Sequence, residues 1–360
     1  MPTSSDDVPT TVQTTTQDEA RVPGSTAGRE SVAEALRGIT DAPAVGVDLG
    51  GTNIQIGIVA ANGEVLSRAK RKTNAEEGLD AIVGRIVDGI YEACDDSSVA
   101  FSDIECVGVG APGPIDPATG TVLEAVNLRW DNVPLADILR ARLGRPVYLD
   151  NDVNVAVWGE YTHGAGRGAR DLLGAWIGTG VGGGIILGGR LHYGHFFTAG
   201  EIGHMITEPG NAPGSRTLEQ NCSRTAVVDR IQRLIRANHK STILQYAKGN
   251  DPEKIKSKSV AQAYAAGDEL VVEVVDDMAV RLGTALGSFT TMLSLQRIVL
   301  GGGLTEAIGQ PFVEKVAAAA RRNVFPDACR AVEVVASRLE DNAGVVGAAM
   351  IAKERAARPA

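Results

Sequence analysis

The chain has 360 residues, 44% hydrophobic and 22% charged, with a formal net charge of −9. This is the balance of an ordinary globular protein, and a prior of about 150 residues per domain gives two domains or one with a large insertion. No basic stripe exists for nucleic acid, and no apolar run approaches the ~18 residues of a membrane span, so neither partner is expected.

Four cysteines (Cys94, Cys106, Cys222, Cys329) lack metal or redox spacing and read as thiols of a reducing compartment. With no apolar signal core at the start of the chain, this predicts a cytoplasmic location. Glycine is the outlier, at 43 residues, or about 12% against a usual ~7%. The glycines cluster at 46–51, 108–113, 164–203 and 301–303 beside apolar runs, as tight turns and close ligand approach require.

In chain order, Met1 to about Gly28 reads as a disordered Ser/Thr-rich leader, and Glu30–Leu36 as a short helix. Order is expected from Ala44. Strands follow at Ala44–Asp48, Ile54–Val59 and Glu64–Arg71, the last two joined by an Asn62-Gly63 hairpin turn. Leu79–Ala93 has helical spacing, Ile104–Gly108 is a strand, Pro134–Leu143 a helix and Val147–Asp150 a strand. A second unit starts at Asp171, with strands at Leu172–Ile177, Ile185–Leu187 and Leu191–Tyr193. Helices are expected at Thr225–Ala237, Leu270–Leu295, Pro311–Ala320 and Asn342–Ala357, with a strand at Arg297–Leu300 and a charged loop over Gly249–Ser257.

Both units read strand, Gly-Thr loop, strand, Gly turn, strand, around Gly51-Thr52 and Gly178-Thr179. This weak internal duplication predicts two α/β lobes facing each other across a cleft. Two stretches match G-x-G-x-x-G, at Gly108/Gly110/Gly113 and Gly178/Gly180/Gly183. Neither is followed directly by a helix, so neither reads as a dinucleotide fingerprint, and no P-loop sequence is present.

Glycine-rich hairpins can still present backbone N–H groups to phosphate. Asp48 ahead of Gly50-Gly51-Thr52-Asn53 either meets Mg²⁺ beside such a cradle or supports a structural turn. Asp152 in Asn151-Asp152-Val153-Asn154 either accepts a proton from a substrate hydroxyl or caps the following helix. Glu201 and His204, three apart, either bind a polyol or brace a loop. Gly301-Gly302-Gly303 either approaches a ligand or makes a tight strand-to-helix turn.

Together these motifs resemble the ROK family of sugar kinases and related repressors, within the actin-like ATPase superfamily. They stand here as Val47–Asn53, Gly108–Asp116, Asn127–Trp130, Asp150–Asn154, Ile177–Gly184, Ala199–His204 and Leu300–Leu304, and the resemblance covers about residues 44–355. It implies an α/β, two-lobed actin-like ATPase (ribonuclease H-like) fold with an interlobe cleft. A small lobe of 44–152, joined by the C-terminal helix 342–357, would face a large lobe of 153–341 after a disordered tail of 1–40.

The resemblance also implies site roles. Asp48, Gly50, Gly51, Thr52 and Asn53 form the first phosphate loop, with Asp48 near Mg²⁺ through water. Gly178, Thr179, Gly180 and Gly182 form the second, and Gly301, Gly302 and Gly303 the adenosine-side loop. Asp152 is the catalytic base, and Gly113, Asn127, Asn151, Glu201, His204 and Glu219 bind sugar. The implied activity is ATP-dependent phosphorylation of a hexose primary hydroxyl, glucose first, with a homodimer as the usual assembly. N-acetylmannosamine, N-acetylglucosamine, mannose or fructose are alternative acceptors. A polyphosphate donor is a further alternative, although no basic groove for it is evident. The alternative of another class is a sugar-sensing transcriptional regulator, for which the 40 residues before Ala44 are too short and polar to supply a helix-turn-helix.

One departure from the family stands out. Where many relatives carry a cysteine-rich zinc segment, this chain reads Gly210-Asn211-Ala212-Pro213-Gly214-Ser215-Arg216-Thr217. Four zinc ligands cannot be assembled there, so no zinc is expected. Pro213, local hydrogen bonds and packing are expected to hold this loop instead. The shortened spacing also loosens the assignment of Glu219.

Overall fold

The computed structural model describes Val32, Glu34 and residues 36–358. The expected leader over 1–28 lies outside the described residues, and of the expected helix Glu30–Leu36 only Val32, Glu34 and Leu36 lie within them.

The first half opens with an antiparallel meander, β1 (Ala44–Leu49), β2 (Asn53–Val59) and β3 (Val65–Lys72). Then come α1 (Leu79–Ser97), β4 (Val107–Ala111), a small antiparallel sheet of β5 (Ile115–Asp116), β6 (Thr121–Ala125) and β7 (Trp130–Val133), and α2 (Leu135–Leu143). It ends with β8 (Val147–Asn151) running into α3 (Asp152–His163).

The second half repeats the meander as β9 (Leu172–Ile177), β10 (Val181–Leu187) and β11 (Arg190–Leu191). There follow α4 (Leu218–Cys222), α5 (Arg224–Arg236), α6 (Ser257–Ala265), α7 (Glu269–Leu293) and β12 (Arg297–Gly301). The order closes with α8 (Gly303–Ile308), α9 (Gln310–Arg322), β13 (Glu333–Ala336) and α10 (Ala343–Ala356).

The duplication read from the two Gly-Thr loops is present in the topology. One sheet has the order β3-β2-β1-β4-β8 and the other β11-β10-β9-β12-β13. In each, the meander is antiparallel and the last two strands join parallel to its first strand. The first strands, AVGVDL and LLGAWI, are apolar on both faces because helices cover both sides. On α1, Ile82, Val83, Ile86 and Ile90 form the buried stripe expected from the spacing.

Helices α3 and α10 are buried almost all round. They meet each other and the first sheet backbone to backbone. A Cβ on Gly46 would lie 1.9 Å from the Val345 carbonyl oxygen, and one on Gly108 would lie 1.8 Å from that of Ala348. One on Gly347 would lie 1.6 Å from that of Val155, so only glycine fits. Further along α10, the fully buried Lys353 donates to the Ala42 carbonyl (2.6 Å) and Glu105 (2.8 Å). Thr40 also donates to Glu105, at 2.7 Å. Residues 36–43 are thereby pinned against α10, and Val32 is buried. Residues 36–43 thus pack on the fold ahead of the expected start at Ala44, because a buried ammonium needs oxygen partners and the segment before β1 supplies them.

Gly347→Ala should cost about 3 kcal/mol or more, since a backbone oxygen cannot move aside as a side chain can. Urea unfolding of the variant, with a reduced midpoint at unchanged slope, is the check.

Candidate active site

Residues near the end of β1, at the start of α3 and just after β12 line one cavity of about 200 Å³. It is lined by Asp48 from the end of β1, Asp152 from the start of α3, and Gly302 and Gly303 after β12. Trp176, Glu306, Glu340 and Asp341 complete an acidic wall, and no Lys or Arg lines it.

At the first loop, Gly50 N–H bonds the Asn53 carbonyl (3.0 Å), while Thr73 holds Gly50 and Thr52 from behind. Lys72 donates to the Asn53 side chain at 2.9 Å. Gly51 and Thr52 are left exposed, with the exposed Asn127 packed beside Gly51. The second loop is shorter than expected. Gly178 N–H closes onto the Gly180 carbonyl (2.9 Å), and strand pairing resumes at Val181. Gly182, expected in the loop, is a strand residue facing Val153. Arg224 donates to the Thr179 hydroxyl at 2.9 Å, and Glu219 accepts the Val181 N–H at 2.9 Å. At the third loop Gly302 has φ +89, and a Cβ there would lie 2.7 Å from Ile177 N. Glycine thus seats the third loop directly on the end of the strand that carries the second. Gly303 then begins α8, so the strand-to-helix reading of Gly301-Gly302-Gly303 holds alongside its position in the cavity wall.

The helix cap beside Asp152 is its neighbour. Asn151 Oδ1 accepts from Val153 N (2.9 Å) and Asn154 N (3.1 Å), and its amide donates to the Gly113 carbonyl (3.1 Å). Asp152 is released from that task. Its carboxylate takes the Val153 N–H (2.9 Å) and its own backbone N–H, and has no side-chain hydrogen-bond partner among the described residues. Burial, then the charge of Asp48, then that of Glu201 push Asp152 up to about 7. Burial and Asp341 push Asp48 up to about 6. The two carboxylates therefore titrate as a pair.

Glu201 and His204 share a 3₁₀ turn, with Glu201 Oε2 3.9 Å from His204 Nε2 and His204 exposed. Gly200 (φ +103) tucks this turn against β10, where a Cβ would meet the Gly183 carbonyl oxygen at 2.5 Å. Glu219 enters from the first turn of α4, which Thr217 and Gln220 cap reciprocally. Glu201 is raised by burial first, with His204 lowering it and Glu219 raising it, which brings these three groups into one electrostatic neighbourhood.

The loop between them is braced by local hydrogen bonds and an ion pair. Ile206 pairs with Thr217, Arg216 donates to the Asn211 carbonyl (2.6 Å), and Asn221 donates to the Ser215 and Thr217 carbonyls (2.9 and 2.8 Å). Glu208 pairs with Arg281 of α7, which also donates to Asp277 at 3.0 Å. Pro213 is exposed and takes the second position of a turn closed by the Ser215 N–H onto the Ala212 carbonyl (3.1 Å), where its fixed φ suits the bend. Among the described residues no cluster of His, Cys, Asp and Glu is arranged to hold a metal ion.

Sequence reasoning did not single out Asp341, Glu306 or Trp176, which line the cavity, nor Lys72 and Arg224, which grip the two Gly-Thr loops. Asp341 and Trp176 reach the cavity only through the fold. Arg224, five residues past Glu219, carried no local pattern.

Residues 44–355 match the ROK family. The chain belongs to that family. It is 36% identical over 322 residues to a glucokinase of Thermotoga maritima, covering 86% of this chain and 97% of the relative. A glucokinase of Streptomyces coelicolor is 34% identical over 316 residues, at 86% and 97% coverage. Among solved structures, a ROK family glucokinase from Streptomyces griseus in complex with glucose and AMPPNP has a TM-score of 0.76 at 32% identity, covering 87% of this chain and 99% of that one. The two-lobed actin-like ATPase fold is thus the fold of this chain.

The raised carboxylates have a consequence for stability. A carboxyl whose folded value lies above its unfolded one favours the fold when protonated and opposes it once pH rises through the folded value. Asp48→Asn should therefore stabilise the ligand-free protein at pH 8, by about 1–2 kcal/mol. The gain should shrink as pH falls from about 6 toward the ordinary carboxylate range. Thermal melts of both proteins across that window would show it.

Proposed function

We propose that this chain is an ATP-dependent glucokinase, transferring the γ-phosphoryl group of ATP to the primary hydroxyl of glucose. The observation that carries the reading is the placement of Asp152. This half-buried carboxylate has no side-chain hydrogen-bond partner among the described residues and lines a cavity walled by the third glycine loop and by Asp48. Relatives named glucokinase over nearly the whole chain support glucose as the acceptor.

In this reading 44–152 with helix 342–357 forms the small lobe and 153–341 the large one. The first loop (Gly50, Gly51, Thr52, Asn53) and the second (Gly178, Thr179, Gly180) take the phosphates through backbone N–H groups. Gly182 supports the second loop from its strand, and Gly301, Gly302 and Gly303 border the nucleoside side. Asn151, Glu201, His204 and Glu219 bind the sugar hydroxyls, with Gly113 setting the Asn151 amide and Asn127 at the rim beside Gly51. The acidic wall without a cation, together with the upward push on Asp48, fits a hard divalent ion such as Mg²⁺. Asp48 would hold it, through water, and the ion would neutralise charge on the phosphate oxygens.

Asp152 takes the proton of the sugar's primary hydroxyl as the phosphoryl group passes in line. A base near 7 is matched to that task at neutral pH. Lobe closure excludes water, the competing acceptor. A homodimer is proposed from the family resemblance alone. Among the described residues no helix is long and apolar enough to cross a membrane, which is consistent with a cytoplasmic enzyme.

A coupled ADP-release assay across glucose, mannose, fructose and N-acetylhexosamines, with polyphosphate as an alternative donor, tests the reading. Release on glucose is expected, and tight glucose binding without ADP release would overturn it. Asp152→Asn should lower kcat by about 10²–10⁴-fold while glucose binding survives in calorimetry. The acidic limb of the kcat/KM profile should fall below about pH 7. In Glu201→Gln it should move to lower pH, because a negative charge that raises Asp152 has been removed.

A further inference from the structure

Asp150, the residue two before the base, is buried at 1% exposure, and its carboxylate is saturated with donors. Oδ1 accepts the Asn151 N–H (2.8 Å) and the Asn154 side-chain amide (3.0 Å). Oδ2 accepts the Tyr193 hydroxyl (2.7 Å) and the Arg355 guanidinium. A carboxylate offers about four lone-pair positions, so none is left for a substrate. Arg355 also donates to the Leu149 carbonyl (2.6 Å) and the Tyr193 oxygen (3.0 Å).

The partners come from four places. Asp150 ends β8 of the first sheet, Asn154 lies in the first turn of α3, Arg355 in the last turn of α10, and Tyr193 two residues past β11 of the second sheet. Tyr193 is also the root of the segment that reaches Glu201, since its carbonyl accepts the Ala199 N–H at 3.1 Å. Gly200 then locks onto β10 through its contact with Gly183.

We infer that Asp150 is a positioning residue that sets the spacing between the base, Asp152, and the sugar-binding turn at Glu201, acting through Tyr193. The inference rests on the glucokinase reading for the roles of those two residues. A buried ion pair with every hydrogen bond made is costly to break, so it fixes the relative placement of the elements it joins. Arg355 fixes Asp150 to the C-terminal helix, and the Tyr193 hydroxyl carries that fixed point across to the second sheet.

The test compares wild type, Tyr193→Phe, Asp150→Asn and the pair combined, with Tyr148→Phe on the same strand as a control outside the network. Glucose dissociation constants come from calorimetry without nucleotide, and KM for glucose and for ATP from the coupled assay. Tyr193→Phe, which keeps the Asp150–Arg355 pair and the ring, should raise the glucose Kd and KM about tenfold and leave the ATP KM within about twofold. The combined variant should be no weaker for glucose than Asp150→Asn alone, because the two act as one unit. A wild-type glucose Kd in Tyr193→Phe, or equal shifts in both KM values, would overturn the inference. So would a lowered melting temperature with unchanged glucose affinity, the mark of a mere brace. Should Asp150→Asn fail to fold, Tyr193→Phe decides alone. The glucokinase reading fails separately, through absent ADP release in wild type, while the calorimetric comparison still reports on the latch.

Discussion

Everything in the cleft depends on the contact of α10 with β1, β4 and α3 at backbone distance. Glycines at 46, 108 and 347 let carbonyl groups of α3 and α10 occupy the space where a Cβ would stand. Asp48 ends the first of these strands and Asp152 begins α3. Drawing those elements together brings the two carboxylates to one cavity wall. Side chains at the glycine positions would push the strand and the helices apart and separate the charges.

That proximity works against the isolated fold. Two acids of like sign share a partly desolvated cavity with Glu306, Glu340 and Asp341, and no cationic side chain lines it. The cations near the loops, Lys72 and Arg224, are committed to Asn53 and Thr179 at the rim. A cation entering this cavity would lower both carboxylates toward their ionised forms. The cost of gathering these carboxylates in one cleft is electrostatic, a pattern common at functional sites.

The architecture was legible because it is written twice. A Gly-Thr turn between two apolar strands, repeated about 130 residues apart, predicts two equivalent meanders, and the strand orders agree. Short strands with mixed composition carry weaker signals. The β5–β7 sheet and α6 were not anticipated, since IDPATGTVLEA and SKSVAQAYA show neither a clean period of two nor a full apolar stripe. Glycine misled in one place: Gly182–Gly184 read as loop but pair as strand, because Val153, Val157 and Ile202 pack where side chains would stand. At Asp152 two roles competed on paper, and the structure separates them by giving the cap to Asn151. No local pattern could have found Asp341, or the reach of Asp150 to Tyr193 and Arg355, since those partners lie far along the chain.

The segment between Glu201 and Glu219 shows how a binding loop can be held by charge and backbone alone. Its strand-like rungs, between Ile206 and Thr217 and from the Arg216 carbonyl to Thr207 and Glu208, make a closed hairpin. Glu208 then fastens the hairpin to Arg281, whose other bonds run to Asp277 and, through it, to Arg230 of α5. Each ion in this chain is half-exposed, so each pair alone is worth little. Their sharing of Asp277 and Arg281 makes them a network, in which the loss of one member loosens the rest. Glu201, Glu219 and the second Gly-Thr loop meet at one end of this braced hairpin, with Val181 N–H bound to Glu219. Glu219 and the second Gly-Thr loop are thereby carried on the same framework, so a shift of Glu219 also shifts that loop.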